Sequence, residues 1–237
     1  MKYEWKGALP APGIRTIRDM KNVLFVPQCK AEGPLYFMYR DLARSEKDRQ
    51  WLKRENLRFD ITVIPPRDLC GELVKTKGHY HPTNVSGTGY PELYEVFEGK
   101  ALFLLQSHTL KDIVLVKAEK GTRVIVPPGY GHVTINPSSN DTLTMANIVS
   151  SAFDSKYEEY ETLSGAAYYV MNDGRIVKNR HYLDIPPIRH IGPVKGKGVD
   201  GRGYTGTIYS LIGNHKALAF LNEPEKYLEI FKGLLKG

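Results

Sequence analysis

Between Gly121 and Asn136 the chain reads G-x5-P-x-G-x2-H-x3-N, carried by Gly121, Pro127, Gly129, His132 and Asn136. Five positions fixed within a span of sixteen leave little room for coincidence. Far upstream, His79-Tyr80-His81 sets two imidazoles on the same side of a strand, about 6.6–6.8 Å apart along it. With Glu92 and His132 arriving from other segments, they make a set of three nitrogens and one carboxylate. Such donors on strands suit Fe2+, Mn2+, Ni2+ or Zn2+, and the lack of thiolates argues against a structural zinc site. Four protein ligands on an octahedral ion leave two positions open, enough to grip two adjacent substrate oxygens. The ordinary alternative is that these histidines satisfy hydrogen bonds in a core. His108, His181, His190 and His215 have no comparable setting and are read in that ordinary way. Glu95 and Glu98 compete for the carboxylate role, but the six residues between Glu92 and Gly99 single out Glu92.

From Arg58 to about Tyr182 the chain consists of short β-branched or aromatic runs broken by Gly, Pro and Asn, which predicts an all-β sandwich or barrel. The strand candidates include Phe59–Ile64, Glu72–Tyr80, Glu92–Glu98 and His132–Ile135. Asn172-Asp173-Gly174 marks a hairpin turn between Ala167–Met171 and Arg175–Lys178. Upstream lie an irregular arm, a first strand within Ile14 to Pro27 after a turn at Arg18-Asp19-Met20, a strand at Leu35–Tyr39 and a polar helix over Ser45–Leu57 with Ser45 as N-cap. Downstream, Ile185 to Gly206 reads as a linker or wrapping segment. Asn222 to Lys236 reads as a helix with Asn222 as N-cap and an apolar face of Tyr227, Leu228, Phe231, Leu234 and Leu235. The division expected is an N-terminal arm and helix over 1–57, a barrel over 58–182 and an extension over 183–237.

No apolar run is long enough to cross a bilayer, and the start, Met1 to Lys6, lacks a secretory pattern. Cys29 and Cys70 lie far apart without a CxxC, so a reduced, cytoplasmic setting is expected. The net charge of +7 suits an anionic partner, but the basic residues are mixed with acids and no recognition motif accompanies them. A small phosphorylated substrate therefore fits better than nucleic acid.

The Gly121–Asn136 pattern resembles the second signature of the cupin barrels, which implies a double-stranded β-helix, or jelly roll. Thr76-Lys77-Gly78-His79-Tyr80-His81, Glu92-Leu93-Tyr94 and Val126-Pro127-Pro128-Gly129-Tyr130-Gly131-His132 resemble the cupin-type phosphoglucose isomerases of archaea. The likeness runs over roughly residues 12–180 and takes in Arg15 to Met20, Pro34 to Tyr36, Tyr39 and Thr62. It implies a divalent ion, Fe2+ foremost, on His79, His81, Glu92 and His132. It further implies a sugar phosphate held by Tyr36, Thr62, Thr76, Gly78 and Tyr157, with Glu92 and Tyr94 at the reacting carbons, in a homodimer. The implied reaction interconverts glucose 6-phosphate and fructose 6-phosphate, by a cis-enediol or a hydride shift. Two departures are visible: ten residues separate His81 from Glu92 where the family has three or four, and Ser155 stands where the family has histidine. An isomerase or epimerase of another sugar phosphate such as mannose 6-phosphate, a cupin dioxygenase and a non-catalytic sugar-binding cupin remain alternatives.

Overall fold

The computed structural model describes residue 5, residues 9–191 and residues 206–235. β1 (Gly13–Thr16) ends sooner than its sequence suggests, because Asp19 accepts hydrogen bonds from the Thr16 N–H (2.8 Å) and hydroxyl (2.9 Å). That cap turns the chain into a single helical turn, α1 (Ile17–Met20). The first strand therefore precedes the Arg18-Asp19-Met20 turn, where the sequence reading places it after that turn. β2 (Pro34–Tyr39) returns antiparallel to β1. α2 (Glu46–Arg54) follows, with the Ser45 hydroxyl accepting from the Asp48 N–H at 3.1 Å, as an N-cap should. β3 (Leu57–Ile64) then enters the barrel, and a small ladder joins β4 (Asp68–Leu69) to β5 (Glu72–Leu73).

The remaining barrel strands are β6 (Glu92–Glu98), β7 (Lys100–Ser107), β8 (Ile113–Glu119), β9 (Arg123–Val126), β10 (Tyr130–Ile135) and β11 (Leu143–Ser150). After α3 (Glu158–Thr162), β12 (Tyr168–Val170) and β13 (Ile176–Lys178) form the expected hairpin. One sheet has the order β1-β2-β3-β11-β6-β9, and the second β10-β7-β8-β14, where β14 is Arg189–Ile191. The stretch Lys75–His81 is not a regular strand, although Glu72–Tyr80 suggests one. It lies against β10 through isolated bridges from Lys75 to Ile135 and from His79 to His132. With it included, β3-β11-β6-β9 faces a row of this stretch, β10, β7 and β8. The chain crosses between the two rows at nearly every turn, which is the jelly-roll topology expected of a cupin. Val96, Met145 and Val126 from one row meet Phe103, Leu105 and Val133 from the other in a common core.

The outer face of the six-stranded sheet is apolar as well, and the C-terminal segment covers it. Phe59, Ile61, Leu93 and Ile148 pack against Ile208, Leu211, Leu218 and Phe220, with α4 (His215–Leu218) and α5 (Leu228–Leu234) forming part of this third layer. The stretch read as a linker or wrapping segment contributes β14, which runs parallel to β8 at the sheet edge, as a wrapping segment does; residues 192–205 lie outside the described residues. One expectation about the tail needs correction. The terminal helix spans only Leu228–Leu234, because a 3-10 turn occupies Pro224–Tyr227 and the Asn222 amide donates to the Glu55 carbonyl (2.7 Å) rather than capping. The cysteines also depart from the reduced expectation: Cys29 and Cys70 are joined in a disulfide, with Cα atoms 5.7 Å apart.

Candidate metal centre

Strand alternation decides which side chains face the barrel interior. Met38 pairs with Thr62 and Thr62 with Met145, while Asp60 pairs with Asn147 and Asn147 with Tyr94. Glu92 is two residues before Tyr94 and so points the same way. Glu95 points outward, where its carboxylate accepts from the Ile208 N–H at 2.6 Å and contacts Arg123 at 3.4 Å. Of the competing glutamates, only Glu92 reaches the histidines. His79 and His132 come together because their main chains exchange hydrogen bonds, His132 N–H to His79 O at 3.1 Å and His79 N–H to His132 O at 3.3 Å.

His79, His81, Glu92 and His132 each bring one donor atom into a cluster within 4.8 Å of one another. His79 Nε2 and His81 Nε2 are 3.1 Å apart, and Glu92 Oε2 lies 3.3 Å from His81 Nε2 and 3.2 Å from His132 Nε2. Ligands about 2.1 Å from an ion and at right angles to one another are about 3.0 Å apart, so these edges fit one divalent cation. Two observations support that fit. Glu92 Oε2 is buried without a hydrogen-bond partner, an oxygen that a cation would satisfy. His81 Nδ1 sits 2.9 Å from the Tyr90 carbonyl, which requires its proton and leaves the Nε2 lone pair facing the cluster.

The protonation states agree. Burial, followed by the neighbouring imidazoles, holds His79 well below the usual imidazole range. Burial also pulls His132 down, against the opposing pull of Glu92. Burial pushes the Glu92 carboxyl up, but contacts with His132 and His81 outweigh it and keep it well below the usual range. Neutral imidazoles beside an ionised carboxylate are in the ligating state.

Tyr94 places its hydroxyl 3.0 Å from His132 Nε2. Burial, then the charge of Glu92, pushes its phenol well above the ordinary value, so it remains a proton donor. Tyr36, Thr62, Thr76, Gly78 and Tyr157 all line the cleft that leads from the cluster. Burial pushes the Tyr36 phenol up to about 12, and its oxygen accepts from the Lys77 N–H at 3.2 Å. The Thr76 hydroxyl accepts from the Thr134 N–H at 2.9 Å, leaving its own proton to be given elsewhere. The Tyr157 ring lies 5.5 Å from that of His79. Gly78 has φ +83°, and a Cβ there would stand 2.6 Å from the Tyr160 ring, so only glycine fits. The free space in the cleft is about 50 Å3. Larger cavities of about 340 and 650 Å3 contain none of these residues.

Several residues reach the cleft without a signal in the sequence. Arg40, Arg58 and Asn147 line it, beside Ser155 at the position that departs from the family, and Lys77 stands 5.4 Å from the Tyr157 ring centre with an ion pair to Glu161. The Arg15 guanidinium lies 5.8 Å from the Tyr157 ring centre, and its buried Nε has no hydrogen-bond partner among the described residues. His108 and His215 instead pair with Glu159 and Glu55 away from the cleft, as ordinary surface histidines do.

Comparison with known proteins points the same way. Residues 14–187 match the family described as "Glucose-6-phosphate isomerase (GPI)". A glucose-6-phosphate isomerase of Thermococcus litoralis is 35% identical over 138 residues, covering 56% of this chain and 67% of the relative. One from Pyrococcus abyssi is 28% identical over the same shares of the two chains. A cupin-2 domain protein of Shewanella frigidimarina is a more distant likeness, with 13% identity and a TM-score of 0.28, over 40% of this chain and 71% of that one. The family match spans the cleft wall from Tyr36 to Tyr157, with all four clustered donors inside it, and the chain belongs to the glucose-6-phosphate isomerase family.

Proposed function

We propose that this chain interconverts glucose 6-phosphate and fructose 6-phosphate at one divalent ion, Fe2+ foremost, held by His79, His81, Glu92 and His132. The observation that carries the reading is the cluster itself, within 4.8 Å and opening onto a cleft lined by cations and hydroxyls. The isomerisation moves one hydrogen between C1 and C2 and builds negative charge on the two oxygens beside them. A bound divalent ion supplies Lewis-acid stabilisation of that charge.

The chain's own groups do the rest. Thr62 and Thr76, the Gly78 backbone, Tyr36 and Tyr157 hold the phosphate, helped by the unpartnered Arg15 Nε. That anchoring fixes which carbons reach the cluster, an orientation effect as important as any single contact. Glu92, held ionised at the cluster, would carry the proton between the carbons in a cis-enediol route. Positioned acid–base groups of this kind contribute about 10²–10⁴-fold. Tyr94, neutral and next to His132, donates a hydrogen bond to a sugar oxygen. The reading includes a homodimer and a cytoplasmic setting, in which a disulfide would be uncommon outside hyperthermophiles.

The test is isomerase activity on fructose 6-phosphate, after stripping with chelator and reloading with Fe2+, Mn2+, Ni2+ or Zn2+. Activity restored by metal in the parent protein and absent from His81→Ala is the expected result. A folded, metal-loaded protein without turnover would move the reading to another sugar phosphate or to a binding role. Loss of C2 deuterium from labelled substrate into water is expected for proton transfer, and full retention would establish a hydride shift instead.

A further inference from the structure

Asp60 lies at the inner face of β3 with 1% of its surface exposed, and three groups converge on its carboxylate. Arg40 Nη1 donates at 2.7 Å, Arg58 Nε at 3.0 Å and the Asp41 N–H at 3.0 Å. Two guanidiniums on one carboxylate leave a positive charge unmatched. A buried carboxylate with this many charge-assisted bonds is a rigid mount rather than a mobile group. The Arg40 side chain remains 43% exposed, at the rim of the cleft that Thr62, Tyr94 and Glu92 line. Among the described residues its second nitrogen, Nη2, meets only the Met38 sulfur at 3.3 Å, a weak acceptor. Arg40 therefore presents N–H groups without an oxygen partner at the mouth of the cleft, on an orientation set by Asp60.

We propose that Arg40, mounted on Asp60 and flanked by Arg58, is a substrate-binding residue that grips the anionic phosphate of the sugar and sets the preference for phosphorylated substrates. The proposal rests on the sugar-phosphate reading and extends it to a residue on a different wall. A planar guanidinium can meet two phosphate oxygens side by side, which an ammonium cannot. Asp60 is a positioning residue: it touches no substrate and acts by fixing the Arg40 fork. Its buried charge would be costly if the cations served no other purpose, because a buried ion pair adds little net stability.

The experiment compares Arg40→Gln and Arg40→Lys with the parent, all loaded with the same metal. Two quantities are read: KM and kcat for fructose 6-phosphate, and the affinity for inorganic phosphate by calorimetry. Asp60 keeps Arg58 and the Asp41 N–H in either variant, so the fold has no charge stranded; unfolding midpoints check this. The expected result for Arg40→Gln is a KM raised about 10- to 100-fold with kcat little changed. Phosphate should bind more weakly by a similar factor, and lysine should restore only part of both losses. The metal is common to all the proteins, so the difference in phosphate affinity reports on Arg40. Phosphate affinity equal to the parent's, or a fall in kcat at unchanged KM, would overturn the proposal. If the parent protein shows no isomerase turnover, the isomerase reading fails by itself, and phosphate binding still decides the role of Arg40.

Discussion

At the scale of single residues, what could be read from the sequence was whatever depends on short spacing. His79 and His81 share a face because they are two apart, and Gly78 precedes them at a point where the backbone must turn left-handed. Asp60 and Arg40 are twenty apart in sequence, and nothing local marks them as a pair. They meet only because β2 and β3 are neighbours, and this is why the cationic mount escaped the sequence while the ligands did not. Gly78 offers a sharp test of the local argument. Alanine there must adopt φ +83° and place its Cβ against the Tyr160 ring and Val133. Strain in the left-handed region and overpacking add to a loss of about 3 kcal/mol in unfolding free energy. Urea unfolding of Gly78→Ala should show this loss as a lowered midpoint at an unchanged slope. A midpoint equal to the parent's would mean that the Tyr160 ring and Val133 move aside to admit the methyl group at no cost.

At the scale of elements, the ten-residue insert before Glu92 was visible as glycine- and polar-rich sequence, but its structural role was not. It is a brace. Asn84 accepts from the Ser86 and Thr88 N–H groups through its side chain, and its backbone N–H donates to the Thr88 carbonyl. Gly89 approaches Gly129 so closely that a Cβ would lie 2.7 Å from the Gly129 nitrogen. Tyr90 stacks on Phe153, which also touches the His81 ring, and the Tyr90 carbonyl accepts a hydrogen bond from His81 Nδ1–H. The C-terminal layer holds the outer end, since Glu225 accepts from the Asn84 amide at 2.9 Å and the Ser86 hydroxyl at 3.3 Å. The helix expected over 222–236 hid this contact, because it put the residues around Glu225 on a regular helix rather than a 3-10 turn. Groups that orient a ligand from outside typically affect metal affinity about 10- to 100-fold. Asn84 is one step further removed, so Asn84→Ala should weaken metal binding by about tenfold or less. The measurement is competition with a chelator of known affinity, with Glu225→Gln expected to follow at a smaller effect. Metal affinity unchanged in Asn84→Ala would reduce the insert to a surface loop.

At the scale of the whole molecule, the jelly roll was legible because its strands alternate and its turns carry glycine and proline. The third layer was not, since the outer face of the six-stranded sheet reads as ordinary strand sequence until Phe220 and Leu211 are seen lying on it. The disulfide was equally hidden: two cysteines 41 apart carry no pairing signal, and their partnership depends on where the loop after α1 docks. That loop is tied to the β4–β5 turn twice, by Cys29–Cys70 and by the Phe25 N–H donating to the Glu72 carboxylate at 2.9 Å. Closing a loop of this length removes freedom from the unfolded chain worth about 4 kcal/mol in the chain-entropy account. That is a large share of the roughly 5–15 kcal/mol that holds a domain together. Reduction should therefore lower the urea midpoint sharply, and Cys29→Ser should reproduce the shift while losing all sensitivity to reductant. The tied turn leads directly into the stretch that carries His79 and His81, so metal bound to the folded state should recover part of the loss by mass action. The deciding comparison is the unfolding midpoint of oxidised and reduced protein, each with and without metal. Equal midpoints for oxidised and reduced protein would show that the hydrogen bond to Glu72 and the surrounding core hold the loop without the sulfur bridge.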